Sequence, residues 1–449
     1  MGVPQYVLRD YGRRMTDDLA AAAPPADTAP PAPAQVPERP LWRNRPYVLL
    51  MSGLTAESLG SGVALFAVPL LALQLTGSPA AAGVVAAVGQ LGALLVTLPA
   101  GVVADRSDRR RVVVVAAGTT ALLWGTVVAA GAAGTLGVWH LAAVLFGTSV
   151  AGAFVDPAVS GAFRTVVPAA QLPTAYATAQ GRDAAAGMVG GPLGGVLYGI
   201  APVVPLVGAV LGYAATAVGA WLVRAPLNDD VAAARATRPL EALRAGLRYV
   251  WASPLFRACI VLFVAVNVAV NGILVGINLE LARTGTPPVL IGVLDTVAAA
   301  SMLAGAALAP LLVRRLRLGV VVVLALGVLL LALAGMAVAR SYLGYVVLLG
   351  VGVLLVPAVN AAMAGYTAAV TPAQMQGRLS SVLGLTGLAA APVAPLVGGG
   401  LLAAGGIGVV LGVLVGLLAL VVAALFGVRS LWRVGTPDTW AADAHPVPV

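Results

Sequence analysis

The sequence predicts an all-α polytopic membrane protein of about twelve transmembrane helices in two six-helix bundles, and three observations carry that expectation. First, 60% of its 449 residues are hydrophobic and only 10% charged, with a mean hydropathy of +0.98. A soluble domain of this size needs far more charged surface. Second, apolar runs of the ~20 residues that cross a ~30 Å hydrocarbon layer recur from Tyr47 to Val428. Third, the chain repeats its punctuation at a displacement of about 200 residues.

The elements follow in order. Residues 1–40 are polar and then Ala/Pro-rich, which reads as a disordered tail rather than a signal peptide; a start downstream of Met1 is the alternative. Span one begins near Tyr47 and ends at Thr76-Gly77-Ser78-Pro79. Span two ends at the charged loop Asp105–Arg111. Span three covers 112–131. Span four contains Asp156-Pro157 and stops at Pro168–Pro173. Span five starts at Thr174, and span six covers 203–222. Residues 226–254 join the halves. Leu240, Leu243, Leu247 and Trp251 there share one helical face, with Glu241, Arg244 and Arg248 off it, as in an interfacial helix. Spans seven and eight are separated by Arg283-Thr284-Gly285-Thr286-Pro287, and span eight ends at Arg314–Arg317. Spans nine and twelve cover 319–337 and 407–428. The expected domains are a tail (1–40), a bundle (41–225), a linker (226–254), a bundle (255–433) and a second tail (434–449).

The duplication is ordered. The Thr-Gly-Ser-Pro of span one recurs as Thr-Gly-Thr-Pro after span seven, and Pro157-Ala158-Val159 as Pro357-Ala358-Val359. Val167–Leu172 is matched by Thr371–Met375, and Gly191-Pro192-Leu193-Gly194-Gly195 by Ala394-Pro395-Leu396-Val397-Gly398-Gly399.

All 26 basic residues are arginine, for a net charge of +9. With the N-terminus placed in the cytoplasm, nearly all the loop arginines fall on that side, and only Arg283 and Arg340 fall outside. That is the positive-inside pattern, so the charge sets topology and does not signal nucleic acid. Both termini are expected in the cytoplasm and the chain in the cell (inner) membrane. Cys259 is alone, so no internal disulfide is possible; His140 and His445 cannot build a metal site. No cofactor is expected, and nothing pairs a nucleophile with a base as an enzyme requires.

Gly101-Val102-Val103-Ala104-Asp105-Arg106-Ser107-Asp108-Arg109-Arg110-Arg111 resembles the signature loop between spans two and three of the major facilitator superfamily, with Asp108 where many members have glycine. The resemblance covers roughly Leu41 to Arg433. Asn44-Arg45-Pro46 and Leu73-Gln74-Leu75-Thr76-Gly77-Ser78 are similar to the drug, macrolide and siderophore exporter branch. The resemblance implies parallel halves with a ligand cavity between them. It also implies that Asp105 contacts the start of span eleven, at Gly377-Arg378. With Gly101, Arg106, Arg109 and Arg110, these residues form a candidate conformational latch. A basic loop that only sets topology is the alternative.

Intramembrane charges are costly, ~2.5–3.5 kcal/mol each on insertion scales, and mark functional candidates. Spans three, six, nine and twelve contain no Asp, Glu, Arg, Asn or Gln; the polar residues fall on the others. Glu57 lies ~15 Å inside span one, near the midplane, with Gly53, Gly60, Ser61 and Ala64 on its face, leaving that side small and open. It is the first proton or substrate candidate, a structural acid being the alternative. Arg182-Asp183 lies ~13 Å inside span five; adjacent helical residues point ~100° apart, so one is expected to neutralise Glu57 or Asp156 while the other meets solvent. Asp156, before Pro157, is a fourth candidate or a helix-end cap at a proline kink. Asn267, Asn271 and Asn278 share one face of span seven, as a donor-acceptor strip or as interhelical glue. Gln90, Asp295 and Asn360 complete the cavity candidates; Glu280 reads as interfacial. Gly187, Gly191, Pro192, Gly194 and Gly195 resemble the glycine-proline motif of proton-driven antiporters, although close helix packing explains the same residues.

The resemblance and these charges together imply a monomeric secondary exporter of a small amphipathic molecule, driven by proton antiport: an efflux protein of the multidrug-resistance kind. A proton-coupled nutrient importer and a non-transporting scaffold or sensor are the alternatives. No Gly-x-x-x-x-Gly-Lys loop is present for nucleotide-driven pumping.

Overall fold

The computed structural model describes residues 40–228, 244, 247–248, 250–252, 254–371 and 373–443. Part of the expected linker helix, including Leu240, Glu241 and Leu243, lies outside the described residues. Leu247 and Trp251 of that segment are exposed.

Punctuation in the sequence becomes helix capping. Span one (Arg45–Thr76) is N-capped by Asn44, whose amide also donates to Val166 O at 2.6 Å, tying the start of span one to the end of span four. The span ends at Gly77, with φ +64°, in the left-handed region that glycine enters without a Cβ clash. Ser78 then caps span two (Pro79–Arg106), with Pro79 in the first turn, where its missing N–H has no intrahelical partner to lose. Gly285 repeats the left-handed turn, φ +77°, at the start of the second half's copy. Asp108, the residue that departs from the family's loop pattern, accepts from Arg110 N at 3.0 Å. It thereby caps span three (Arg109–Ala132).

Spans four to six are Val138–Val166, Leu172–Ile200 and Val204–Leu222. Spans seven to nine are Pro254–Arg283, Pro288–Arg315 and Leu318–Ala339. Span ten is broken into Tyr342–Val353 and Val356–Val370. Span eleven runs through Ala373–Ala390 into Val393–Gly427, and non-helical Gly405 and Gly406 then divide that second helix so that its remainder is span twelve. Among the described residues, ten stretches are long and apolar enough to cross a membrane. The count reaches twelve crossings because span five, weakened by Arg182-Asp183, falls below that hydropathy and because spans eleven and twelve run together.

Packing repeats between the halves. Span one packs on six, two on four and three on six; in the second half, seven packs on the helix carrying twelve, eight on ten, and nine on that same helix. Between halves, span five packs on eight and span two on the helix carrying eleven. The duplicated motifs meet at these two seams. A Cβ on Gly195 would lie 2.6 Å from Pro288 O, and one on Gly399 2.5 Å from Pro79 O. Gly292 sits against the backbone of Gly191 and Pro192, and Gly83 against Pro395 O. Thr296 Oγ1 adds a hydrogen bond to Met188 O at 2.9 Å. Lipid supplies no hydrophobic drive between helices, so such close backbone packing is what holds a membrane seam shut. Both seams lie towards the end remote from the arginine-rich loops.

After span twelve, Arg429–Arg433 crosses the start of span nine, with Leu431 O and Trp432 against Gly319. Trp440 then docks on span ten, its ring against Gly365 and edge-on to Tyr366 at 5.8 Å. Its indole N–H donates to Gly435 O at 3.0 Å.

Two outcomes are expected. Gly399→Val should prise spans two and eleven apart at a cost of about 1–3 kcal/mol. Maleimide labelling of a cysteine at Gln90 in a Cys259→Ser background, from the end remote from the arginines, should then rise. Gly118→Val, where a Cβ meets nothing within 4 Å, should leave labelling unchanged. Trp440→Ala removes a buried aromatic worth about 3–5 kcal/mol and should lower the melting temperature of the purified protein.

Candidate functional site

Four charged side chains gather in the N-terminal half. Glu57 is largely buried and within electrostatic reach of Asp156, Arg182 and Asp183. Its face of span one is not open, contrary to the expectation from Gly53 and Gly60. Those glycines bring span one onto the backbone of span six, Gly53 against Thr216 and Gly60 against Gly208. A Cβ on Gly212 would lie 2.8 Å from Glu57 Cα. The carboxyl stands beside Thr216 and Tyr213 of span six. Glu57 Oε2 and Thr216 Oγ1 are both buried without a hydrogen-bond partner. Span six carries no charge or amide, so only its threonine and tyrosine could have signalled this role.

Arg182 bonds its own neighbour. Its Nη2 and Nε donate to Asp183 Oδ1 at 2.8 and 3.0 Å, and Ser58 Oγ donates to the same oxygen at 2.8 Å. Its direct ion pair is thus with Asp183, while its charge also acts on Glu57 and Asp156 from within electrostatic reach, as expected. The guanidinium's long stem reaches around the ~100° between adjacent residues. It also lies on Met51 Sδ at 3.7 Å. Arg182 is 16% exposed and Asp183 52%. Asp156 sits inside the unbroken helix Val138–Val166, so it caps no helix end; its residue is exposed.

The C-terminal half holds a cavity of about 750 Å³. Among the described residues its polar lining is Asn267, Asn271, Asn360, Thr367, Thr371 and Gln376; the other twenty lining residues are apolar. The asparagine strip of span seven is only partly realised. Asn267 and Asn271 face the cavity but donate to carbonyls of their own helix, Phe263 O and Asn267 O, each at 2.9 Å. Asn278 instead stands beside Asp295 of span eight. Asp295 faces the seam, 3.2 Å from where Gly191 would carry a Cβ, and is not part of the cavity wall. Glu280 pairs with Arg283 at 2.7 Å. Gln90 is exposed on span two.

The glycine-proline stretch of span five works as close packing: Gly191 and Gly195 meet span eight, and Gly194 meets Phe66 and Val63 of span one. Gly187 has nothing within 4 Å of a Cβ.

Of the expected latch, the side chains of Asp105, Gly377 and Arg378 lie outside the described residues, and Gly101 has open space where a Cβ would be. Arg109 and Arg110 are tied within their own half. Arg109 donates to Leu227 O at 3.0 Å and Thr165 Oγ1 at 3.3 Å, and its backbone N–H to Asn228 Oδ1 at 3.0 Å. Arg110 donates to Trp221 O. Among the described residues no group of three or more His, Cys, Asp or Glu could hold a metal.

Two like-built helical bundles joined at paired seams, with a cluster of four charged side chains in one and a largely apolar cavity in the other, form a multi-pass membrane transporter. The chain belongs to the Major Facilitator Superfamily, whose sequence profile matches residues 50–390. Similar solved structures include a bacterial homologue of the iron transporter ferroportin in an inward-facing state (18% identity, 87% of this chain and 99% of that one, TM-score 0.67). The nucleoside transporter NupG is similar at 13% identity over 86% of this chain and 99% of that one, TM-score 0.66. A bacterial homologue of the human lysosomal transporter Spinster is similar at 16% identity over 90% and 99%, TM-score 0.62. At these identities the likeness is one of fold. Comparison with curated protein sequences finds no match.

Asp183→Asn keeps an acceptor for Ser58 but leaves the Arg182 charge without a carboxylate. Transport should fall about tenfold, ~1.4 kcal/mol, whereas Ser58→Ala should lower it less than about twofold. Initial transport rates at matched expression read the difference.

Proposed function

We propose that this protein is a secondary exporter that moves a small amphipathic molecule outward by proton antiport with alternating access. The observation that carries the reading is the placement of Glu57. An intramembrane carboxyl with one oxygen buried and unpartnered, beside the Arg182-Asp183 pair and Asp156, is suited to take and give up a proton. The apolar cavity of the other half is sized for a small molecule, within the roughly 300–1,000 Å³ of such sites.

The energetics fit. One proton entering down a potential of 100 mV supplies ~2.3 kcal/mol, enough to hold a roughly fifty-fold gradient of an uncharged molecule. Rocking of the halves opens one end as the seams close the other. Asp105 against the start of span eleven, at Gly377-Arg378, is the proposed latch for the arginine-rich end, which this reading places in the cytoplasm of the inner membrane. The chain works as a monomer.

Cells expressing the protein should accumulate less of a drug or siderophore panel than cells without it, and a protonophore should erase the difference. Higher accumulation on expression would reverse the direction. Uptake into inverted vesicles that ignores a pH gradient would remove the proton. Glu57→Gln should abolish the pH dependence of transport while leaving the protein folded; unchanged pH dependence would clear Glu57 of the role.

A further inference from the structure

We propose that the segment after span twelve is a strap across the cavity of the C-terminal half at its arginine-rich end. Leu431 closes the mouth, two tryptophans hold the strap down, and a molecule enters or leaves by that end only when the strap lifts. The strap controls access alone, whichever way cargo moves.

Leu431 is 2% exposed and forms part of the cavity wall. Its neighbours in the wall at that end are Phe256 near the start of span seven, Val322 in the second turn of span nine, Thr371 just past span ten and Leu425 near the end of span twelve. All these helix ends lie beside the arginine-rich loops, so Leu431 stands at a rim of the cavity and not in its middle. Its carbonyl oxygen lies 3.1 Å from where Gly319 would carry a Cβ. Residues three apart share a helix face, which brings Val322 under the strap.

Each tryptophan has a glycine for its seat. Trp432 lies 3.3 Å from where Gly319 would carry a Cβ, stacks on Phe426 with ring centroids 5.6 Å apart, and donates its indole N–H to Leu425 O at 3.1 Å. Trp440 is 5% exposed, and its ring lies 2.9 Å from where Gly365 would carry a Cβ. It meets Tyr366 edge-on and spends its N–H within the strap, on Gly435 O. Between these anchors Val434 is buried too. The strap therefore packs across spans seven, nine and ten.

The first half shows a fixed version of the same crossing. There the chain leaving span six also runs over the start of span three and the end of span four, but polar bonds fasten it. Asn228 accepts from Arg109 N and donates to Ser107 O, and Leu227 O accepts from Thr165 Oγ1 and from Arg109. Thr165 stands eight residues after Pro157, and Gly365 eight after Pro357. Where the first half has a threonine clamp, the second has a bare seat for a ring. Ring contacts carry no strict directional demand, so the strap can lift and reseat without stranding a hydrogen-bonded clamp.

The test uses the purified full chain in lipid nanodiscs, with Cys259→Ser and a reporter, Val322→Cys, in the wall beneath Leu431. Alkylation by a bulky, water-soluble maleimide is timed well below the melting temperature. Trp440→Ala is expected to speed it at least about fivefold and Leu431→Ala about threefold, because each raises the population of the open mouth. Trp440→Phe keeps a ring on Gly365 and should change it less than about twofold. A second reporter, Gln90→Cys, reads the seam at the other end and should be alkylated at one rate in all of them. If Trp440→Ala lowers the melting temperature yet leaves alkylation of the Val322→Cys reporter within about twofold, the segment is a structural brace and the strap is overturned. Equal acceleration at both reporters, the mark of general loosening, overturns it as well. Should Trp440→Ala not fold, Leu431→Ala decides alone, and an unchanged rate there sinks the idea.

Discussion

The structure depends on two seams at which backbones of opposite halves touch. Spans two and eleven meet through Gly83, Pro79, Pro395 and Gly399, and spans five and eight through Gly191, Gly195, Pro288 and Gly292. Apolar side chains gain little by leaving lipid for one another, so the contacts that hold helices together are those of close approach. A Cβ at Gly195 or Gly399 would fall on a carbonyl oxygen, which no rotamer change can relieve. The duplication makes both seams from the same two motifs in exchanged roles: the proline-glycine start of an even-numbered span against the proline-glycine middle of its partner. Both seams thus lie at one end of the molecule, while each half keeps its own internal packing.

Much of this was legible in the sequence because punctuation is local. Thr-Gly-Ser-Pro specifies a left-handed C-terminal glycine, an N-cap and a first-turn proline without help from the rest of the fold, and the structure uses it that way at Gly77, Ser78 and Pro79. The pairing of the repeats across the halves was not legible. The sequence shows that two motifs recur, but which copies touch is a property of the assembled bundle. The face of Glu57 was misjudged for the same reason. Small residues mark either open space or close approach, and Gly53 and Gly60 turn out to receive span six.

Side-chain partners were harder to read than positions. Arg182 closes its ion pair on Asp183 while its charge also acts on Glu57 and Asp156, because a guanidinium on a flexible stem can fold back along its own helix. Asn267, Asn271 and Asn278 share a face by periodicity, yet that face turns from the cavity wall to the span-eight interface along its length, so Asn278 finds Asp295. The cavity itself has almost no sequence signal. Its wall is mostly Val, Leu, Ala, Met and Phe, the same residues that fill the rest of the spans, and only the asparagines on span seven and Asn360 pointed to it.

The two halves share a scaffold but not its chemistry, and the difference falls where function would be placed. Asp156-Pro157 in span four stands opposite Val356-Pro357 in span ten. Arg182-Asp183 in span five is matched by Leu385-Thr386 in span eleven. Glu57 lies twenty residues before Gly77, and the residue twenty before Gly285 is Ala265. At each position the first half has an ionisable group where the second does not. A buried ion is tolerated only where the surroundings compensate it, so charges accumulate beside charges, and a wall free of them becomes hospitable to apolar cargo. Duplication supplied two copies of one frame. Divergence at a handful of positions then gave the first frame its cluster of four charged side chains, while the second keeps Asp295 in span eight beside a largely apolar cavity.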